Sequence, residues 1–333
     1  MSYAKTFSIA IFAALLAYGA AGFHSLPLAS FEGDLTRMGL VPERLFGWQQ
    51  GQPAIEDKWL QQAAIEDADM LVIGDSFSVS RAWQSVLTES GLKIRTEHWS
   101  NIRALCVDFA PWLRARGFNG RLVVVESVER NLGEELRKSV ACQSMNYRPD
   151  AKMDAPRKPP LTAFDTAGGD YSGKMSIGLR TRLNALRYQH LSTAADFRSM
   201  ELPNEVRLVR LPGACKLFSH ARCDDILFLG KEQSAEASPD ILPNMEILTK
   251  RLTGLTVIWA IVPNKSTVYL YPDNGKLWEA AEQRFLAPNL LRMSRQALER
   301  GTIDLFPANN THFSTTGYLL MGEQMLRAIP PTK

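Results

Sequence analysis

The sequence predicts an α/β protein, a three-layer α/β/α parallel sheet with an inserted subdomain. Two observations carry that prediction. Short continuous apolar runs end at turn residues: Met70-Leu71-Val72-Ile73, Leu122-Val123-Val124-Val125 and Val257 to Val262. A run with no polar alternation fits a strand buried on both faces, the usual state of a parallel sheet. Stretches of helical periodicity alternate with these runs, and strand–helix alternation builds an open sheet covered by helices. The second observation is an interruption. A polar segment rich in Pro and Gly, "RPDAKMDAPRKPP" followed by "TAGGDYSG", breaks the pattern, which resumes roughly a hundred residues later. The insertion is placed at about 143–235.

Composition bounds the class. A chain of 333 residues can bury a sizeable core, as one large domain or two. Apolar residues make up 45% and charged residues 22%, the balance of a folded chain rather than a disordered one. A net charge of +3, with no Lys/Arg block interleaved with aromatics, argues against a nucleic-acid partner.

The elements follow in order. Lys5 precedes "FSIAIFAALLAYGAAGF", which ends in small residues. Residues 1–22 therefore read as a secretory signal cleaved near Ala21, or as an uncleaved N-terminal anchor. Either reading makes the chain periplasmic or extracytoplasmic. Residues 23–66 read as an irregular arm punctuated by Pro27, Pro42 and Pro53, and 67–333 as the main domain. Within it "DMLVIGDS" is a strand, "SVSRAWQSVLTESG" a helix stopped by Gly91, and "LKIRTEHWS" a second strand. "NIRALCVDFAPWLRARG" is a helix and "GRLVVVESVER" the third strand. In the insertion "KMSIGLRTRLNALRYQHL" is a helix, and "EVRLVRL" and "DDILFLG" pair as a hairpin. Then come helix "PNMEILTKRLTG", strand "LTVIWAIVP", and a helical stretch broken at Pro288. "TIDLFP" is a last strand and "STTGYLLMGEQMLRAI" a terminal helix.

Export gives the four cysteines a meaning, because an oxidising compartment favours disulfides. Cys215 and Cys223 are close enough to close a short loop, which leaves Cys106 with Cys142; four cysteines allow three pairings. No Cys or His spacing matches a zinc site, so no metal or dissociable cofactor is expected.

The chemistry centres on Gly74-Asp75-Ser76. A parallel strand that delivers a serine to a helix start places it at the carboxyl edge of the sheet, where ligands bind in open α/β folds. Backbone N–H groups at that helix start suit a developing oxyanion. Serine is also an ordinary helix cap, so a base must be found to make it a nucleophile. Of the five histidines, His24, His98, His190 and His220 read as structural or surface residues. His312, in "DLFPANNTHFSTTGY", lies between the last strand and the terminal helix, on a loop expected at the same sheet edge as Ser76. Glu126 and Glu129, at a strand end, read as a solvated or Arg130-paired cluster, with a carboxylate pair flanking a sugar, as in glycosidases, as the alternative. Trp83, Trp99, Trp112, Trp259 and Trp278 read mainly as core, with sugar stacking as the alternative.

"GDSFS" at Gly74–Ser78 and "NNTHFSTTGY" at Asn309–Tyr318 resemble the first and last blocks of the SGNH (GDSL-like) hydrolase superfamily. Within it the chain is most similar to exported alginate-type polysaccharide O-acetyltransferases. "VPNKSTVY" and "VVVESVERNL" are similar to further segments of that group. The resemblance implies Ser76 as acyl-accepting nucleophile and His312 as general base and then acid. It implies oxyanion and substrate contacts from the Ser76 turn with Asp75, and from Asn101, Arg130 and Asn131. It implies a polysaccharide acceptor and a membrane-bound acyltransferase as acetyl donor.

Two departures are visible. The serine block comes before the histidine block, the order of ordinary SGNH hydrolases rather than of the alginate-type enzymes. The family's aspartate before the histidine is replaced by Asn309 and Asn310. Asn310 would then orient His312, with Asp304 as the alternative acid. The expected activity is O-acetyl transfer to an exopolysaccharide or cell-wall glycan. The alternatives are a carbohydrate O-acetylesterase of the same fold, or a catalytically weak scaffold that binds polysaccharide.

Overall fold

The computed structural model describes residues 3–149, 171, 173–232 and 240–331. Most of the two Pro- and Gly-rich segments therefore falls outside the described residues. The N-terminal apolar run forms one helix, α1 (Tyr3–Ser25), followed by the short helices α2 (Asp34–Gly39) and α3 (Glu43–Phe46). With the turn that follows it, α1 is long and apolar enough to cross a membrane, at a mean hydropathy of 1.8.

Strand β1 (Met70–Gly74) leads through α4 (Ser76–Val79) and α5 (Ala82–Glu89) to β2 (Ile94–His98). Next come α6 (Trp99–Ile102), α7 (Phe109–Ala115), β3 (Leu122–Val128) and α8 (Glu129–Ala141). After α9 (Met175–Ser192) come β4 (Ser199–Leu202), β5 (Val206–Arg210) and β6 (Asp225–Leu229). The α/β pattern resumes with α10 (Ile241–Arg251), β7 (Thr256–Val262), α11 (Lys265–Tyr269), α12 (Lys276–Arg284) and α13 (Leu290–Glu299). The chain closes on α14 (Thr315–Ala328). The gap between α12 and α13 holds Pro288, and Asn289 restarts the helix by accepting from the Arg292 N–H at 2.8 Å.

Two compact units emerge. One comprises Gly51–Thr162, Lys231–Phe306 and His312–Lys333. Its centre is a four-stranded, all-parallel sheet in the order β2-β1-β3-β7. The architecture is α/β, compatible with a three-layer α/β/α fold. The three apolar runs predicted as buried strands are β1, β3 and β7, and all five residues of β1 are buried. The register sets Gly74 beside His98 and Ile73 beside Val125, so β1 ends level with His98 and Glu126. Every strand therefore delivers its C-terminal residue to one edge. The core gathers Trp83, Phe109, Trp259 and Phe313 among many aliphatic side chains. The terminal helix lies hard against α5: a Cβ on Gly322 would come within 2.4 Å of the Trp83 carbonyl oxygen. The Cys106–Cys142 disulfide ties the segment before α7 to the end of α8.

The other unit comprises Met1–Gln50, Ala163–Gly230 and Pro307–Thr311. It holds an antiparallel sheet, β4-β5-β6. The predicted hairpin pairs with Val206 opposite Leu229, and Cys215–Cys223 closes the loop between its strands. The sequence reading missed β4, whose "SMEL" is too short for an alternation signal. Leu35, Phe46, Tyr188, Met200 and Leu208 form this unit's own core. Tyr188 donates to Asp225 at 2.6 Å, and Arg210 pairs with the same carboxylate at 2.7 Å.

One predicted element is absent. "TIDLFP" is a set of turns, not a last strand, and Asp304 is not a strand end. Its φ of 52° takes the backbone out of the extended region. Leu305 and Phe306 are buried all the same, because they pack in a turn rather than in a sheet. An apolar run of this length does not distinguish the two.

Candidate active site

The turn after β1 is built around a close approach. A Cβ on Gly74 would sit 2.3 Å from Ser78 Oγ and 2.5 Å from Glu126 Oε2, so only glycine fits there. Asp75 follows as the N-cap of α4. Its carboxylate accepts from the Phe77 N–H at 3.0 Å and from the Val128 N–H at 2.8 Å. Beneath it lies Glu126, wholly buried. Its Oε2 accepts from the Asp75 N–H at 3.0 Å and from the Ser78 hydroxyl at 2.6 Å. Trp83 donates to Ser78 Oγ at 3.2 Å, and Trp99 to the Glu126 carbonyl at 2.7 Å. The second oxygen of Glu126 meets no donor among the described residues.

Burial, and then the neighbouring Asp75 charge, push the Glu126 carboxyl well above its ordinary value. A proton on that oxygen turns it into a donor towards Asp75. Two adjacent buried carboxyls then coexist without two adjacent charges. Ser76 is thereby fixed as the first residue of α4, half-buried, at the carboxyl edge of the sheet.

His312 reaches the same place from the far end of the chain. Its Nε2 lies 2.7 Å from Ser76 Oγ across 236 residues of sequence. The segment is held on both sides of the ring. Ser314 donates its N–H to the Leu305 carbonyl at 3.0 Å and caps α14 through its hydroxyl. Phe313 packs on Phe306 with ring centres 4.3 Å apart, and the His312 ring lies 4.8 Å from that of Phe77. In the tautomer with its proton on Nδ1, Nε2 accepts the serine proton, the geometry a general base needs.

The other sequence candidates lie on the stretch before His312 and on α6 and α8. Asn309 donates its amide to buried Glu43, so its nitrogen is engaged within the smaller sheet's unit. Thr311 there bonds Asp34 through both N–H and hydroxyl. Asn310 is half-buried and turns back on Pro307, its N–H 3.1 Å from that carbonyl. Asp304 is fully buried, and its charge helps burial to push the Tyr269 hydroxyl upward. The Leu305–Ser314 bond closes the loop's base and draws the chain on either side of it together.

Asn101 is buried, with its amide 3.5 Å from Glu97. Arg130 bonds Glu232 at 3.0 Å and Asn264 at 3.1 Å. Asn131 alone of these three lines the cavity at Ser76. The expectation of a solvated Glu126–Glu129 cluster is corrected. Both are buried, and Glu129 accepts from the Asn264 N–H at 3.0 Å and the Thr267 hydroxyl at 2.6 Å. Burial raises the Glu129 carboxyl too.

That cavity has a volume of about 750 Å³. Asp75, Ser76 and Asn131 share it with residues the sequence reading missed: His98, Ser100, Arg103, Ser127, Glu135 and Lys138. They come from the ends of two strands and from two helices, so no linear spacing marks them. Trp99 also lines it, whereas Trp83, Trp259 and Trp278 are core. Among the described residues no group of three His, Cys, Asp or Glu side chains is placed to hold a metal ion. No protein-family model, curated protein or solved structure matches the chain.

Proposed function

We propose that the chain is a serine-dependent O-acyltransferase that moves acetyl groups onto hydroxyls of an extracytoplasmic glycan. The single observation that supports this most is the 2.7 Å approach of Ser76 Oγ and His312 Nε2 at the carboxyl edge of a parallel sheet. In the proposed cycle Ser76 Oγ attacks the acetyl carbonyl as His312 takes its proton. The oxyanion faces the Ser76 N–H at the start of α4. His312 returns the proton to the leaving group, and an acetyl-serine remains. An acceptor hydroxyl then repeats the sequence in reverse, giving its proton to His312 and releasing Ser76. The polar lining, with Ser100, Asn131, Glu135 and Lys138, suits a polyhydroxylated acceptor better than an apolar ester. Water in the acceptor's place would make the same site an esterase. The acetyl donor in this reading is supplied by a membrane-bound acyltransferase.

The test is 4-nitrophenyl acetate turnover with and without a glycan acceptor, in wild type, Ser76→Ala and His312→Ala. Both variants should lose at least about 10³-fold in kcat while staying folded. Asp304→Asn and Asn310→Asp added to the series identify the residue that orients His312. Wild-type turnover and serine-probe labelling no higher than those of Ser76→Ala would overturn the enzymatic reading and leave a binding scaffold.

A further inference from the structure

Helix α9 has two apolar faces, and among the described residues only one of them is buried. Gly178, Thr181, Ala185 and Tyr188 are buried. Asn184, near that side, donates to the Gly39 and Leu40 carbonyls at 3.3 and 3.0 Å. On the opposite side Met175, Leu183 and Leu186 are 44%, 64% and 54% exposed, and half-buried Leu179 falls between them. At about 100° per residue these four lie within roughly 80° of one another, a single stripe along the helix. Arg180 and Arg187 flank the stripe on one side and Arg182 on the other. Lys174 precedes the helix, and no Asp or Glu occurs between Lys174 and Ala195. Among the described residues none of the three arginines makes an ion pair.

This stripe begins where the exposed apolar helix ends. Gly22 of α1 lies 3.2 Å (from an ideal Cβ) from the Met175 methyl, and Gly178 is so close to Ser25 that a Cβ would come 2.1 Å from its carbonyl oxygen. Phe23 stacks on Tyr171, with ring centres 5.5 Å apart, and both are more than half exposed. Tyrosine is enriched at the membrane–water boundary, and Tyr171 stands at the end of the apolar helix. The α1 helix also runs unbroken through the Ala21 region: Ser25 donates its hydroxyl to the Ala21 carbonyl at 2.7 Å.

We propose that α1 is retained as a membrane anchor and that α9 lies in the surface of the same bilayer. Its leucine stripe then enters the acyl boundary, and Arg180, Arg182 and Arg187 hold anionic headgroups. The bilayer is the occupant that accounts for both surfaces at once. A spanning α1 already needs it, and α9 continues from its end. A leucine stripe edged by arginines, on a helix that carries no acid of its own, matches an anionic lipid surface. The helix would then fix how the smaller sheet's unit stands on the membrane.

The test uses the full chain in nanodiscs of phosphatidylcholine with 30% phosphatidylglycerol, and of phosphatidylcholine alone. The native cysteines are paired, so L183C can be labelled singly with an environment-sensitive fluorophore, with Glu201→Cys on β4 as the exposed control. The L183C probe should emit to the blue of the control. Doxyl-labelled lipid should quench it at least twofold more than the control, and more strongly in the anionic discs. The triple change R180E/R182E/R187E should abolish that excess while near-UV circular dichroism stays native. Quenching equal to the control in the anionic discs would overturn the proposal. So would a blue-shifted probe that lipid does not quench, which would mean that protein covers the face. Recovery of the membrane-extracted chain with its first 21 residues removed would equally overturn it.

Discussion

The buried Glu126 carboxyl gives a prediction with a definite sign. Its folded-state affinity for a proton is raised above the ordinary value of 4.5, chiefly by burial and next by Asp75. The native state therefore holds a proton that the unfolded chain releases. The stability tied to that proton is complete below the unfolded pKa. It is lost as pH rises through the folded one, at about 1.4 kcal/mol per pH unit between them. Glu126→Gln copies the protonated form. Its amide oxygen can accept from Asp75 N–H and Ser78 as Oε2 does, and its amide nitrogen can donate towards Asp75. The variant should match wild type near pH 4.5 and gain on it above. The gap should widen with pH by up to about 1.4 kcal/mol per unit until the folded-state carboxyl itself ionises. Glu126→Ala leaves two buried donors without their acceptor and a small void, a loss of about 3 to 5 kcal/mol. The assay is urea denaturation of wild type and both variants from pH 5 to pH 8. Burial also raises Glu43, Glu129 and Glu232, but they are common to wild type and Gln variant and cancel in the difference. A wild-type-minus-Gln difference flat to within about 0.5 kcal/mol over that range would refute the reasoning.

Two further outcomes follow from the same geometry. Gly74→Ala should force the Ser76 turn off Glu126 and cost at least about 10²-fold in ester turnover, while the secondary-structure signal in circular dichroism stays unchanged. Removing the Cys106–Cys142 bridge, whose loop spans 36 residues, should cost about 4 kcal/mol by loop-closure entropy. Removing Cys215–Cys223, with 8 residues, should cost only about 2.5 kcal/mol, both read by thermal or urea melts of the paired Ser variants.

The parallel sheet was legible because β1, β3 and β7 are buried on both faces, and such burial writes an apolar run; β2, polar and at the edge, was read from its place between two helices. Ser76 and His312 were legible for a related reason. Each sits at the junction of an apolar run and a helix start, and such junctions stay visible in sequence. The rest of the site was not. Glu126 lies inside a strand and Lys138 in the third turn of a helix, and only the strand register brings the first under Asp75. The fold of "TIDLFP" was misread because burial of Leu305 and Phe306 looks the same in a turn as in a strand. The second apolar face of α9 cancels the amphipathic signal of the first, so the sequence shows a helix there but neither of its faces.

The residue that orients His312 can be narrowed by elimination and by strain. Asn309 donates its amide nitrogen to Glu43, and its buried amide oxygen accepts no hydrogen bond among the described residues, so it does not hold the ring. Asn310 can offer Nδ1–H only a neutral oxygen, which fixes a tautomer but does little for an imidazolium; in a serine protease the corresponding acid-to-amide change costs about 10⁴ in turnover. Asp304 is the one carboxylate between residues 304 and 314. It is wholly buried, and it holds a left-handed backbone that non-glycine residues adopt at a cost of about 1 kcal/mol. Burying a carboxylate and straining its backbone are both unfavourable, and a fold keeps such a combination where the charge has work to do. On this argument Asp304→Asn should cost turnover through kcat with KM little changed, and Asn310→Asp should change it far less.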